Sequence, residues 1–142
     1  MTNSLNSPLK GKCQCGHIEY IVTEPFIAQL ACHCTECQKL SATSFSLSGF
    51  LRREAFTLVK GELKIFSRIA DSGLVNNAHF CPGCGNRIYH SNPDKLDTIR
   101  LKPGTLEDTS VIKPTMHVWL KSKQDWVDIP AGVETYDTQP VI

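Results

Sequence analysis

Short alternations of apolar and polar residues run along the chain, and nowhere do they merge into a long helical period. From His17 to Glu24 the apolar side chains Ile18, Tyr20 and Val22 take every second position, the spacing that lines one face of a strand. Comparable runs occur at Thr43–Leu51, with Phe45 and Leu47 alternating, and at Phe56–Val59, Leu63–Ser67, Val75–Phe80, Asn86–His90, Thr98–Lys102, Thr115–Leu120 and Trp126–Ile129. Turn-forming groups separate them: Lys60-Gly61, Asp71-Ser72-Gly73, Asn92-Pro93-Asp94 and Pro103-Gly104. No window of the roughly 12 residues that a packed helix needs keeps a 3.6-residue apolar period. The pattern predicts an all-β fold with little helix, limited to a turn or two after Cys34 and around Arg52–Ala55. A loose segment through about Pro8 and a tail after about Gly132 complete the expectation.

Size and charge narrow the picture. A chain of 142 residues is expected to form one domain, 1–142, with enough interior to need no partner for its core. With 15 basic against 14 acidic residues the net charge is +1, so the electrostatic footprint of a nucleic-acid binder is absent and no nucleic-acid partner is expected. The first ten residues carry neither a basic stretch followed by an apolar one nor anything like a membrane span. The expectation is a soluble, unexported, cytoplasmic protein with no membrane partner.

Seven cysteines change the reading most. They fall in three groups, Cys13-Gln-Cys15, Cys32-His-Cys34-Thr-Glu-Cys37 and Cys81-Pro-Gly-Cys84-Gly85. An odd number at chelating spacing fits thiols that bind metal in a reduced compartment better than it fits disulfides. Tetrahedral zinc with Zn–S of about 2.3 Å needs sulfurs roughly 3.8 Å apart, which short-spaced pairs can supply. The Cys81–Gly85 run has the composition of a zinc-ribbon turn, with proline fixing one dihedral and glycines free to take positive φ. A closed structural site takes two ligands from each of two turns, so Cys13, Cys15, Cys81 and Cys84 form one complete set. Cys32, Cys34 and Cys37 remain as three ligands with a fourth position open, the arrangement of a functional zinc. The count predicts two zinc ions per chain, with Cys32, Cys34 and Cys37 as the catalytic residues. The competing arrangement completes this second site with a histidine, for which His33, His79 and His90 are candidates.

Three thiolates leave zinc with a formal first-shell charge of −1 and make it a weak Lewis acid. Capture of a soft fourth ligand, a small-molecule thiol held as thiolate, is then favoured over hydrolysis. An anionic thiol calls for a cation nearby, and Arg87, Arg100, Lys121 and Lys123 are candidates, though each reads first as surface charge. Trp119 and Trp126 read as core or half-buried strand residues. His33, between two ligands, reads either as a proton relay or as a side chain facing solvent.

The order Gly11-Lys-Cys13-Gln-Cys15-Gly16, Cys32 through Leu40, Phe80-Cys81-Pro-Gly-Cys84-Gly85, Gly104-Thr105-Leu106-Glu107-Asp108 and His117 through Trp126 resembles the glutathione-dependent formaldehyde-activating enzyme family, which also includes centromere protein V. The resemblance covers about residues 11–130 and all seven cysteines. It implies a zinc-bound β-tent of short antiparallel strands, like that of the Rab guanine-exchange zinc proteins, with the four-cysteine site structural and the three-cysteine site functional. It also implies a carbon–sulfur lyase that condenses formaldehyde with glutathione to S-(hydroxymethyl)glutathione. A non-catalytic interaction module, with both metals structural, is the alternative from another class, and a redox or zinc sensor is a third.

Overall fold

The computed structural model describes residues 5–140, and over these the chain divides into two compact units. Ile27 and the residues before it join Gly49–Ile112 to make the first; Ala28–Ser48 and the residues from Lys113 onward make the second.

In the first unit, β1 (Leu9–Lys12), β2 (Glu19–Val22) and β5 (Phe56–Lys60) form an antiparallel sheet in the order β1-β2-β5. Tyr20 and Val22 of β2 are buried while Glu19 is exposed, so the alternation in the sequence is realised. A second antiparallel array runs from the end of β4 (Ser46–Arg52) through β9 (Lys95–Leu101), β8 (Arg87–Asn92) and β7 (Val75–Phe80) to β6 (Lys64–Ile69). Ile18, Tyr20, Val22, Leu51, Ile88, Ile99, Leu101 and Leu106 make the core together with the thiols Cys13 and Cys81. Gly11 is required where β1 crosses β2, because a β-carbon there would enter the Tyr20 ring. Tyr20 in turn bonds Thr105 Oγ1 at 2.5 Å and stacks on Phe56 with centroids 5.0 Å apart.

The second unit holds β3 (Ala28–Cys32), the only α-helix among the described residues, α1 (Thr35–Ser41), and the short strands β10 (Met116–Val118) and β11 (Glu134–Thr135). Here the pairing is parallel: β10 lies between β3 and β11. Its buried set mixes apolar Leu30, Ala31, Val118 and Val127 with His33, Ser44, Ser46 and His117.

The antiparallel strands and the short helix after Cys34 follow the expected pattern, and Arg53–Ala55 is a single 3-10 turn. Three differences have physical reasons. Trp126–Ile129 is not a strand, because Lys123 Nζ donates to the carbonyls of Gln124 (3.1 Å) and Val127 (2.8 Å) and closes the segment into a turn. Trp126, expected as core or half-buried, is 72% exposed there, and only Val127 of that run is buried. The expected tail after Gly132 instead supplies β11, and Tyr136 N–H donates to His117 O at 2.9 Å. Of the expected loose N-terminal segment, residues 1–4 lie outside the described residues; Leu5 N–H donates to Thr23 O at 2.8 Å.

Candidate metal centres

Each unit carries one cysteine group. In the first, two turns of matched design face each other: Cys13 N–H donates to Ile18 O (3.1 Å), and Cys81 N–H donates to Asn86 O (2.9 Å), five residues ahead in both cases. Gly16 (φ 81°) and Gly85 (φ 78°) take the left-handed backbone that closes these turns. Backbone amides then point at sulfur, Ile18 N–H to Cys13 Sγ at 3.2 Å and Gly83 N–H to Cys81 Sγ at 3.3 Å. Cys13 and Cys15 sulfurs lie 3.6 Å apart, and those of Cys15 and Cys81 3.7 Å apart. These separations sit within a few tenths of an ångström of the tetrahedral thiolate edge of about 3.8 Å. The N–H groups of Asn86 and Cys15 pull the Cys84 thiol down to about 6, toward the ionised form that a metal requires.

In the second unit the sequence builds its group around one helix end. Cys32 ends β3, Cys34 is the N-cap of α1 with its sulfur accepting from Cys37 N–H at 3.3 Å, and Cys37 is in the first turn. Ala42 closes the helix in the left-handed region at φ 55°. Sulfurs of all three cysteines lie within 4.8 Å of one another. Crowding three thiols makes their ionisation mutually exclusive: the Cys32 and Cys37 thiols push Cys34 well down, while Cys34 and Cys37 push Cys32 well up. A bound divalent cation would offset that mutual repulsion and favour the thiolate form of all three. Soft sulfur donors at these separations fit zinc in both groups.

The cysteines thus assemble in the two sets that their spacing predicts. Among the described residues no histidine or carboxylate joins either group, so His33, His79 and His90 do not complete the second one. His33 does not face solvent. It is fully buried, its Nε2 lies 2.9 Å from His117 Nδ1, and its ring sits against Phe45 and His117 at centroid distances of 5.3 and 5.1 Å. Its Nδ1 has no hydrogen-bond partner among the described residues. The tautomer with Nε2–H donating to His117 avoids burying an unpaired N–H and is the less costly one. His79 and His90 belong to the first unit, where His79 Nε2 meets Ser91 Oγ at 2.8 Å and Arg87 donates to His90 Nε2 at 3.2 Å.

The candidate cations are mostly committed elsewhere. Arg87 holds His90 and lies over the Phe66 ring at 5.8 Å, Arg100 donates to Asn76 Oδ1 at 2.9 Å, and Lys123 pins the turn at Gln124–Val127. Sequence reasoning missed the His117 partner of His33.

Together these features define a strand-built protein with two separate thiolate clusters of metal-binding geometry. The family described as glutathione-dependent formaldehyde-activating enzyme matches residues 8–122, and the chain belongs to that family. In fold it is also similar to a structural-genomics crystal structure of a Rhodobacter sphaeroides protein, with a TM-score of 0.54 and 22% identity. That likeness covers 69% of this chain and 87% of the other. No helix among the described residues is long and apolar enough to cross a membrane.

Proposed function

We propose that the chain is a zinc-dependent carbon–sulfur lyase that condenses glutathione with formaldehyde or a related small electrophile in the cytoplasm. The observation that carries this reading is the three-sulfur group Cys32, Cys34 and Cys37, within 4.8 Å and without a fourth protein donor among the described residues. Family membership supports glutathione as the thiol and formaldehyde as the electrophile. Cys13, Cys15, Cys81 and Cys84 would hold one zinc with a structural role, and Cys32, Cys34 and Cys37 would hold the second. When bound, zinc at the second site supplies a positive charge that keeps a fourth sulfur ligand in its thiolate form near neutral pH.

The chain's own residues set the geometry. β3 and α1 fix the three cysteines on one side of the site, and the N-cap bond from Cys37 N–H orients the Cys34 sulfur. His33, turned toward His117, helps hold the end of β3 against β10. In the overall reaction one carbon–sulfur bond forms between the thiol and the aldehyde carbon, and the thiol's proton ends on the former carbonyl oxygen. No oxidant is needed.

The test follows the approach to equilibrium of formaldehyde, glutathione and S-(hydroxymethyl)glutathione. The protein should speed it without shifting its end point, and Cys34→Ser should abolish the effect. Progress at the uncatalysed rate at every protein concentration would overturn the reading.

A further inference from the structure

In the second unit the residue between two of the cysteines is held from several sides. His33 N–H donates to Val118 O at 3.0 Å, and its ring Nε2 meets His117 Nδ1, both partners lying on β10. Its carbonyl accepts from the side-chain amide nitrogen of Gln38 at 2.9 Å, and that same nitrogen donates to Ser122 O at 3.0 Å. Gln38 follows Cys37 on α1. One side chain therefore ties the helix that carries Cys37 to the Cys32-His33-Cys34 segment and to the 3-10 turn Leu120–Ser122.

The sense of these bonds is set from the surface. A glutamine amide has an accepting end and a donating end, and only the donating end can serve two carbonyls. Gln38 Oε1 accepts from Gln124 Nε2 at 3.1 Å, and Gln124 Oε1 accepts from the Trp126 indole N–H at 2.8 Å. An indole nitrogen only donates, so it turns the Gln124 oxygen toward itself, the Gln124 NH2 toward Gln38, and the Gln38 NH2 toward His33 and Ser122. Trp126 is exposed, and Lys123 holds the backbone turn around it through Gln124 O and Val127 O. The hydrogen bonds thus run in one direction from an exposed ring to the cysteine segment.

We propose that Gln38 is a positioning residue for the three-sulfur site and that Gln124 and Trp126 set its orientation. The inference rests on the reading of Cys32, Cys34 and Cys37 as a zinc site with an open position, and it names what holds that site in shape. A four-cysteine site draws its two turns together through its own ligands. Three ligands do so with one bond fewer, and more of the spacing of their sulfurs has to come from the protein around them. Gln38 joins the two backbone segments that bear them. Its part is to fix that backbone, and it binds neither metal nor substrate.

The test measures zinc release from the full chain into an excess of chromophoric chelator. Cys34→Ser, which lacks the second site, identifies the phase that belongs to it. Gln38→Glu keeps the size of the side chain and the bond from Gln124 but cannot donate; it should release second-site zinc about tenfold faster than the parent, with first-site release changed less than about twofold. Trp126→Phe removes one indole N–H at an exposed position, which spares the fold, and should speed the same phase about threefold. In the cobalt-substituted protein the visible bands of the second site, taken as parent minus Cys34→Ser, should change in both variants while those of the first site do not. Second-site release within about twofold of the parent in Gln38→Glu, or equal acceleration at both sites, overturns the positioning role and leaves the zinc reading standing. An effect in Gln38→Glu alone strikes Trp126 from the account. If Gln38→Glu fails to fold, Trp126→Phe decides by the same limits. A parent without a second-site phase overturns the zinc reading and the positioning role with it.

Discussion

Replacing Cys81 by serine removes one sulfur from the four-cysteine group while leaving nearly the same volume in the core, so the packing loss is small and the change reports on the cross-link. Cys15 and Cys81 lie 66 residues apart in the chain, and closing a loop of that length takes about 4 kcal/mol of chain entropy out of the unfolded state at room temperature. A metal held by both turns makes that closure, and its binding free energy becomes folding free energy. Against a typical total of about 5–15 kcal/mol, the loss takes away about a quarter or more of the stability. Urea unfolding followed by circular dichroism, with and without a chelator, is the assay. The parent should lose about 4 kcal/mol on chelation, and Cys81→Ser should begin near that lowered value and lose little more. A deficit under about 1 kcal/mol, or a chelator effect on the variant equal to that on the parent, would refute the cross-link argument.

Other expectations follow from the same structure. Cys34→Ser should stay folded, because serine is a good N-cap and can replace the sulfur that now accepts from Cys37 N–H, yet it should bind one metal equivalent less than the parent; unfolding like that of Cys81→Ser would contradict the division of roles. Gly11→Ala drives a methyl group into the buried Tyr20 ring and should cost about 1–3 kcal/mol, read as a Tm lower by about 3–10 °C. Burial, then the charges of Lys102, Arg100 and Arg87, holds His90 well below its ordinary 6.5, and burial with Arg53 brings His79 down to about 4. Both protonate more readily in the unfolded chain, so their contribution is complete above about pH 6.5 and is lost as pH falls from there toward 4, with a slope of up to about 1.4 kcal/mol per pH unit for each. His90→Asn should flatten the acid limb of a stability-against-pH profile, and an unchanged limb would remove His90 from that account.

The cysteine groups were legible because chelation makes a local demand: sulfurs must lie within one turn of each other, and only spacings such as Cys13-Gln-Cys15 or Cys81-Pro-Gly-Cys84 achieve it. Strands with alternating burial, such as Glu19–Val22, were legible for a similar reason. The misses share a different cause. β1 reads Leu-Lys-Gly-Lys, with a glycine placed there for the Tyr20 ring of another strand, and β11 is two residues held by pairing alone. Neither leaves a periodic signature. Trp126 was misread because an indole is usually buried, whereas the turn closed by Lys123 turns it outward. The partner of His33 lies 84 residues away, and the commitments of Arg87, Arg100 and Lys123 depend on neighbours that spacing cannot name.

The central claim is that Cys32, Cys34 and Cys37 keep a zinc coordination position open for a substrate sulfur. A crystal structure of the zinc-loaded protein grown with glutathione, using anomalous scattering at the zinc edge, tests it directly. The account predicts two zinc ions per chain, one bound by Cys13, Cys15, Cys81 and Cys84 and the other by Cys32, Cys34, Cys37 and the sulfur of glutathione. A protein side chain in the fourth position at the second zinc, or glutathione bound with its sulfur away from that metal, would contradict it.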